Sequence, residues 1–295
     1  MVYSTQELML RLATEQERQF YEQALYPLQN RVLSLAARYE GDIALTGGTA
    51  LSRFYFHHRL SEDIDLFTKE ADIRAFAAAI TSDFAAAGLP IEQEKTTPDF
   101  ARLFAGHQHM KVELCRDLPR IDPIRKTAEG FFVHTLRDIA GNKIAAFEDR
   151  AEQKDLIDLY YLVQRLGWPA LFTAADAKRV APPYEYLRHL PTRRLQGDVL
   201  LLHEIPDLDR FAKTAGEAVL QELKKKVASC ENEATISNTI ARLLWDAPPE
   251  RRRLRSDNLA IIRRRAAVLS EPKRVAVYKA VRRSRYSARP ISSTT

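Results

Sequence analysis

Apolar positions across residues 5–39 recur at mixed three- and four-residue spacing, through Leu8, Leu12, Leu25, Leu28, Val32 and Leu35. That pattern predicts a helical lead-in interrupted near Pro27. The run Asp42-Ile43-Ala44-Leu45 then reads as a short buried strand closed by Gly47-Gly48, with a helical pattern resuming from Thr49 to Phe56. Acidic and apolar residues alternate from Asp63 to Phe67, the period-two signature of a half-buried strand. A helix is predicted over 72–87, and a hairpin from strands at 100–105 and 109–114 turning around Gly106.

Beyond Pro123 the spacing becomes helical, over 136–166 and through most of the chain after Asp207. Trp168-Pro169, the stretch from Pro182-Pro183 to Pro191, and Pro248-Pro249 divide it. The pattern predicts a mixed α+β core followed by a mostly helical lobe. The expected organisation is a helical lead-in at 1–40, a core at 41–130, a helical lobe at 131–250 completing the active site, and a basic helical tail at 251–295.

Length and charge sharpen this picture. At 295 residues the chain suggests two lobes. Two distant cysteines, Cys115 and Cys230, suggest neither a disulfide framework nor a zinc knuckle. The most apolar segment, 71–91, carries Arg74 and Asp83 and falls short of a membrane span. The N-terminus has no signal-peptide pattern, so a cytoplasmic protein without membrane contact is expected. Residues 251–295 hold 14 Lys and Arg against Asp257 and Glu271, a surplus of 12. The first 250 residues carry 31 basic against 37 acidic side chains. The arginine runs 251–253 and 263–265 interleave with Leu259, Ile262, Val268, Val275 and Tyr278, as in cationic helices that meet a polyanion such as RNA. A solvated face or a dock for an acidic protein is the competing reading.

The chemistry gathers in Gly47-Gly48-Thr49-Ala50-Leu51 and in residues 58–67, HRLSEDIDLF. On a strand, Asp63 and Asp65 share a face while Ile64 and Leu66 point to the core. Two carboxylates so placed repel unless a cation lies between them, and a hard divalent ion, Mg²⁺ or Mn²⁺, suits oxygen donors with positions left for phosphate. Glycines before a helix let a phosphate approach the backbone. Taken alone, Asp-x-Asp is a common surface pattern and Gly-Gly a tight turn; their conjunction within about twenty residues favours the site.

With these motifs the chain resembles the nucleotidyltransferase superfamily related to DNA polymerase β, and within it the AbiEii/AbiGii toxin family. The likeness rests on GGTAL at 47–51, HR-x-S-x-DIDLF at 58–67, and K-x-x-A-x-x-x-R with KD-x-x-DL-x-x-L across 143–162. It implies a polymerase-β-like core with two metal ions, held by Asp63, Asp65 and a third carboxylate. Glu113 is the candidate for that third place, with Asp117 and Glu94 as weaker substitutes. Gly47, Gly48, Thr49, Arg59, Ser61 and Lys143 would bind nucleotide. Lys143, Asp155 and Asp158 would act from the helical lobe, Asp155 or Asp158 orienting the nucleoside or the attacking hydroxyl. By spacing alone Lys143, Arg150, Asp155 and Asp158 read as an exposed, salt-bridged helix face. His57-His58 lacks a third ligand at metal spacing and reads as structural.

The resemblance further implies a toxin of a toxin–antitoxin or phage-defence system, moving NMP from an NTP to an acceptor such as the 3′ end of tRNA, with a cognate antitoxin as partner. NMP transfer to a protein or small molecule, or a non-catalytic nucleic-acid-binding regulator, stand as alternatives.

Overall fold

The computed structural model describes residues 10–39, 43–70, 72–117, 119–178, 184–190 and 195–229. The basic tail at 251–295, Cys230, residues 5–9, Asp42 and the prolines at 182, 183, 191, 248 and 249 lie outside them. Strand β1 (Leu10–Leu12) leads to helix α1 (Glu15–Phe20), started by a Thr14–Glu17 capping box. A π-helical turn, Tyr21–Leu25, joins α1 to α2 (Tyr26–Ala36). Pro27 has no N–H to donate, and its place in the first turn of α2 behind the widened turn accommodates that loss without ending the helix.

Strand β2 (Ile43–Thr46) feeds α3 (Gly47–Ala50), which runs on as a second π-helical turn, Leu51–Tyr55. Then come β3 (Ile64–Thr68), α4 (Ile73–Ala86), β4 (Ile91–Thr96), β5 (Phe100–Ala105), β6 (Met110–Arg116), β7 (Arg125–Lys126) and β8 (Phe132–Val133). Helices α5 (Leu136–Arg150), α6 (Gln153–Leu166), α7 (Trp168–Ala177) and α8 (Glu185–Arg188), strand β9 (Val199–Leu201) and α9 (Leu208–Ser229) complete the described chain. The single helical run expected over 136–166 is broken at Ala151, whose left-handed backbone (φ 50°) stops α5. Among the described residues no helix is long and apolar enough to cross a membrane.

Seven strands form one sheet in the order β4-β5-β6-β3-β2-β8-β7, with β3 parallel to β6 and antiparallel to β2. Alternation sets its two faces. Ile64, Leu66, Val112, Leu114, Ala101 and Leu103 are buried, whereas Asp65, Lys111, Glu113 and Arg102 are only half-buried or exposed on the alternate positions. The helix α4, capped by Asp72, packs on this sheet through Ile73, Ala77, Ile80 and Phe84. β4 was not predicted, because an edge strand wet on both faces shows no alternation. β1, expected as helix, is a strand because it pairs in parallel with β9, Leu10 opposite Val199 and Leu12 opposite Leu201. That distant pairing overrides the local helical spacing.

The chain divides into two compact units, Met1–Ala181 with Arg194–Pro206, and Pro182–Arg193 with Asp207–Thr295. The sheet and helices α5 to α7 therefore belong to one unit, across the lobe boundary expected at 130. In the second unit α8 packs on α9, where Phe211, Ala215, Val219 and Leu223 are buried.

The end of β6 and helices α5 and α7 are stitched by buried charge. Lys178 Nζ lies 2.8 Å from Asp117 Oδ1 and 2.8 Å from Asp138 Oδ1, Arg120 Nε is 2.9 Å from Asp117 Oδ2, and the His134 ring meets Asp117 at 3.0 Å. Asp138 also accepts from the backbone N–H groups of Ile121 and Asp122. Removing one partner of such a buried set leaves uncompensated charge. Lys178→Met should therefore lower unfolding stability by about 3–5 kcal/mol in urea titration, and a loss below about 1 kcal/mol would contradict this account.

Candidate active site

The half-polar face of the sheet presents Asp63, Asp65 and Glu113. Asp65 sits opposite Thr46 of β2 and Glu113 of β6, and Asp63 immediately precedes β3. Gly47 opens α3 directly beside Asp65. Its φ is +68°, and a Cβ there would lie 2.0 Å from Asp65 Oδ2, so both backbone and neighbour demand glycine. A Cβ on Gly48 would meet Arg59 Nη2 at 2.0 Å. Thr49 and Ser61 tie this turn to β3: Thr49 Oγ1 donates to the Asp63 carbonyl and lies 2.8 Å from Ser61 Oγ.

Burial and the neighbouring Glu113 and Asp63 charges push the Asp65 carboxyl up to about 6, against the pull of Lys143 and Lys111. Lys111 Nζ is 2.8 Å from Asp63 Oδ2, and Arg102 Nε is 2.9 Å from Glu113 Oε1.

Facing the acids is a cationic floor built on two carboxylates of α6. Asp158 takes Arg59 in bidentate fashion (Nε 2.8 Å, Nη2 2.9 Å), His58 Nε2 at 2.8 Å and Lys143 Nζ at 2.6 Å. Asp155 takes Lys143 Nζ at 2.8 Å and Arg150 through Nε at 2.7 Å. Burial alone would raise the Asp158 carboxyl, but Arg59, Lys143 and the His58 hydrogen bond outweigh it and hold it well below the carboxylate range. Burial would lower the Lys143 ammonium, yet Asp155 and Asp158 carry it above its ordinary value, so it stays charged. Burial lowers the His58 imidazole, leaving a neutral ring that donates from Nε2.

One cleft of about 410 Å³ is lined by Gly48, Arg59, Ser61, Asp63, Asp65, Glu113 and Lys143, within the size range of nucleotide-sized pockets. Arg11, Tyr21, Lys111, Arg150, Lys154 and Asp198 line it too. Of these, Lys111 was legible as the residue two before Glu113 on the same strand face. Arg11 and Asp198 were not, since the β1–β9 pair that brings them in has no local signal.

Two expectations change. Asp155 and Asp158 are 0% exposed and do not line the cleft, so neither forms an exposed salt-bridged face nor reaches a nucleoside; they hold the cations that do face the cleft. Of the three carboxylates weighed for the third place, Glu113 lines the cleft, whereas Asp117 lies in the Lys178 cluster and Glu94 on the edge strand, neither of them among the cleft-lining residues. His57 is exposed at φ 51° while His58 is buried, the opposed orientation expected of adjacent histidines.

For a divalent ion the donor set fits in kind, three carboxylates on one face. Among the described residues, however, the group whose ligand atoms lie within 4.8 Å of one another is Asp117, His134 and Asp138, and the Lys178 ammonium already sits between its two aspartates.

Residues 31–229 match the family model described as nucleotidyl transferase AbiEii toxin, type IV toxin–antitoxin system. The chain belongs to this family. A 128-residue stretch of this AbiEii-family chain is 33% identical to an uncharacterized protein, aq_aa25, of Aquifex aeolicus (strain VF5). That stretch is 43% of this chain and 60% of the relative, so the chain spans less than two thirds of that relative's length. Among solved structures, MenT4, a nucleotidyltransferase toxin of Mycobacterium tuberculosis H37Rv, superposes with a TM-score of 0.52 at 13% identity, over 80% of this chain and 91% of its own. That likeness shows the fold, in keeping with the α+β nucleotidyltransferase architecture. JHP933 of Helicobacter pylori is 21% identical over 70% of this chain and 94% of its own, with a TM-score of 0.45.

Two outcomes follow for this AbiEii-family site. Gly47→Ala forces a side chain onto Asp65 and should abolish activity while lowering Tm; full activity in a radiolabel transfer assay would refute the packing argument. Asp65 keeps its proton in the folded chain up to about pH 6, whereas the unfolded chain loses it near pH 4, so stability falls as pH rises through that window. Asp65→Asn without divalent metal should raise Tm by about 2–4 °C at pH 7.5 and change nothing below about pH 4. Equal calorimetric Tm values at both pH values would contradict the shift.

Proposed function

We propose that this chain is a metal-dependent nucleotidyltransferase that moves NMP from an NTP to the 3′ end of an RNA, tRNA in the first instance, as the toxin of a cytoplasmic toxin–antitoxin pair. The family supports the reaction class, and the observation that carries the residue assignment is Asp65 packed against Gly47 in a cleft shared with Asp63 and Lys143. Asp63, Asp65 and Glu113 would hold the metal, which when bound supplies positive charge to the entering and leaving oxygens of an in-line displacement at the α-phosphate.

The chain's own residues do the remaining work. In the Gly47-Gly48-Thr49 bend the two glycines let Asp65 and Arg59 press against the backbone, and Gly48 is the member of the three that lines the cleft. Arg59 and Lys143 offer fixed positive charge to polyphosphate, and Ser61, tethered to Thr49, offers a hydroxyl at the cleft wall. Their cations need no reorganisation at the moment of reaction, because Asp155 and Asp158 already fix them. Asp155 and Asp158 thus serve as positioning residues. An RNA acceptor is favoured over a protein or metabolite by the arginine-rich segment at 251–295.

Incubated with Mg²⁺, α-labelled NTPs and total tRNA, the full chain should label tRNA and release pyrophosphate, and EDTA should stop it. Asp63→Ala and Lys143→Ala should each reduce the rate by about 100-fold or more. Label in protein or metabolite instead of RNA would reassign the acceptor. Unchanged labelling by Asp63→Ala would overturn the site.

A further inference from the structure

Lys111 places a positive charge inside the acidic face. The ladder pairs Ile64 with Val112 and Asp65 with Glu113, so Asp63 beside Lys111 and Asp65 beside Glu113 are successive neighbours on one face. The Lys111 ammonium is 2.8 Å from Asp63 Oδ2 and 3.8 Å from Glu113 Oε1. From the next strand Arg102 draws Glu113 the other way at 2.9 Å. Each outer carboxylate is held by a base, and the three do not close into a group with oxygens within 4.8 Å of one another.

The Lys111–Asp63 pair is about one-third exposed on both sides (30% and 33%), where an ion pair adds little to stability. Its consequence is electrostatic and local. Lys143, the other cleft lysine near Asp65, is engaged by Asp155 and Asp158 and makes no ion pair with these three acids.

We propose that Lys111 is the resident counter-ion of this carboxylate face, and that it makes divalent-ion binding conditional on polyphosphate. A free ion must take Asp63 from the ammonium and then suffers its repulsion. A nucleoside triphosphate arriving with the ion gives the ammonium a replacement anion, which frees Asp63. The chain therefore selects metal–nucleotide over metal alone. This rests on reading Asp63, Asp65 and Glu113 as the metal ligands.

The test is titration of the full chain with Mn²⁺, free ion being read by electron paramagnetic resonance, with and without a non-hydrolysable α,β-methylene NTP analogue. Without nucleotide, Lys111→Met should bind Mn²⁺ about tenfold more tightly than the unaltered chain, since a repelling charge within a few ångströms is removed. With the analogue that advantage should fall to about twofold or less, and Lys111→Arg should behave as lysine does. Native circular dichroism certifies the fold; should Lys111→Met fail to fold, Lys111→Gln is read in its place. Equal or weaker nucleotide-free affinity in the folded variant overturns the inference, as does a tenfold gain that persists with the analogue. Mn²⁺ binding by no chain, with or without the analogue, overturns the metal reading itself and this inference with it.

Discussion

A single carboxylate, Asp158, organises the cationic side of the cleft. It is fully buried and accepts from Arg59, His58 and Lys143, three side chains that reach it from the segment before β3 and from α5. An ionised carboxylate in such a place is tolerable only with its lone pairs filled, and two cations in such a place only with anions beside them. Each member is the condition for the others, and Asp155 extends the set to Arg150. Such networks seldom add net stability over a well-packed apolar core; their effect is to define one arrangement. Here that arrangement keeps Arg59 and Lys143 charged at the wall of the cleft.

Across the cleft the electrostatic situation is reversed. Asp63, Asp65 and Glu113 crowd negative charge onto one sheet face, and burial with that crowding lifts the Asp65 carboxyl toward neutrality. One side of the site is thus a closed buried network, while on the other Lys111 and Arg102 hold Asp63 and Glu113 and leave Asp65 crowded between them. The asymmetry leaves fixed cations on one wall of the cavity and crowded carboxylates on the other.

Much of this was legible because it follows from period two. Alternation over 63–67 put Asp65 on one face and Ile64 and Leu66 on the other, and the same rule placed Glu113 on β6. The glycine bend, the helix at 73–86 and the helical run over 136–166 were equally local, though the break at Ala151 was not. What escaped depended on partners far along the chain. Helical spacing cannot tell a wet ion-paired face from a buried one, and in the fold α6 turns Asp155 and Asp158 inward onto α5 and the Arg59 segment. The widened turns at 21–25 and 51–55 have no apolar period of their own. Strand β1 looked helical because nothing near it announces β9.

That last pairing bears on when a nascent chain acquires its pocket. Leu10 to Leu12 meet Val199 to Leu201, and β9 also bridges to Arg59, so Arg11 and Asp198 reach the cavity wall only through residues near opposite ends of the described chain. A contact of such sequence separation closes late, after the segments between have been made and folded. On the ribosome the wall stays open until residue 201 has emerged, so the pocket cannot be completed while that segment is still unmade.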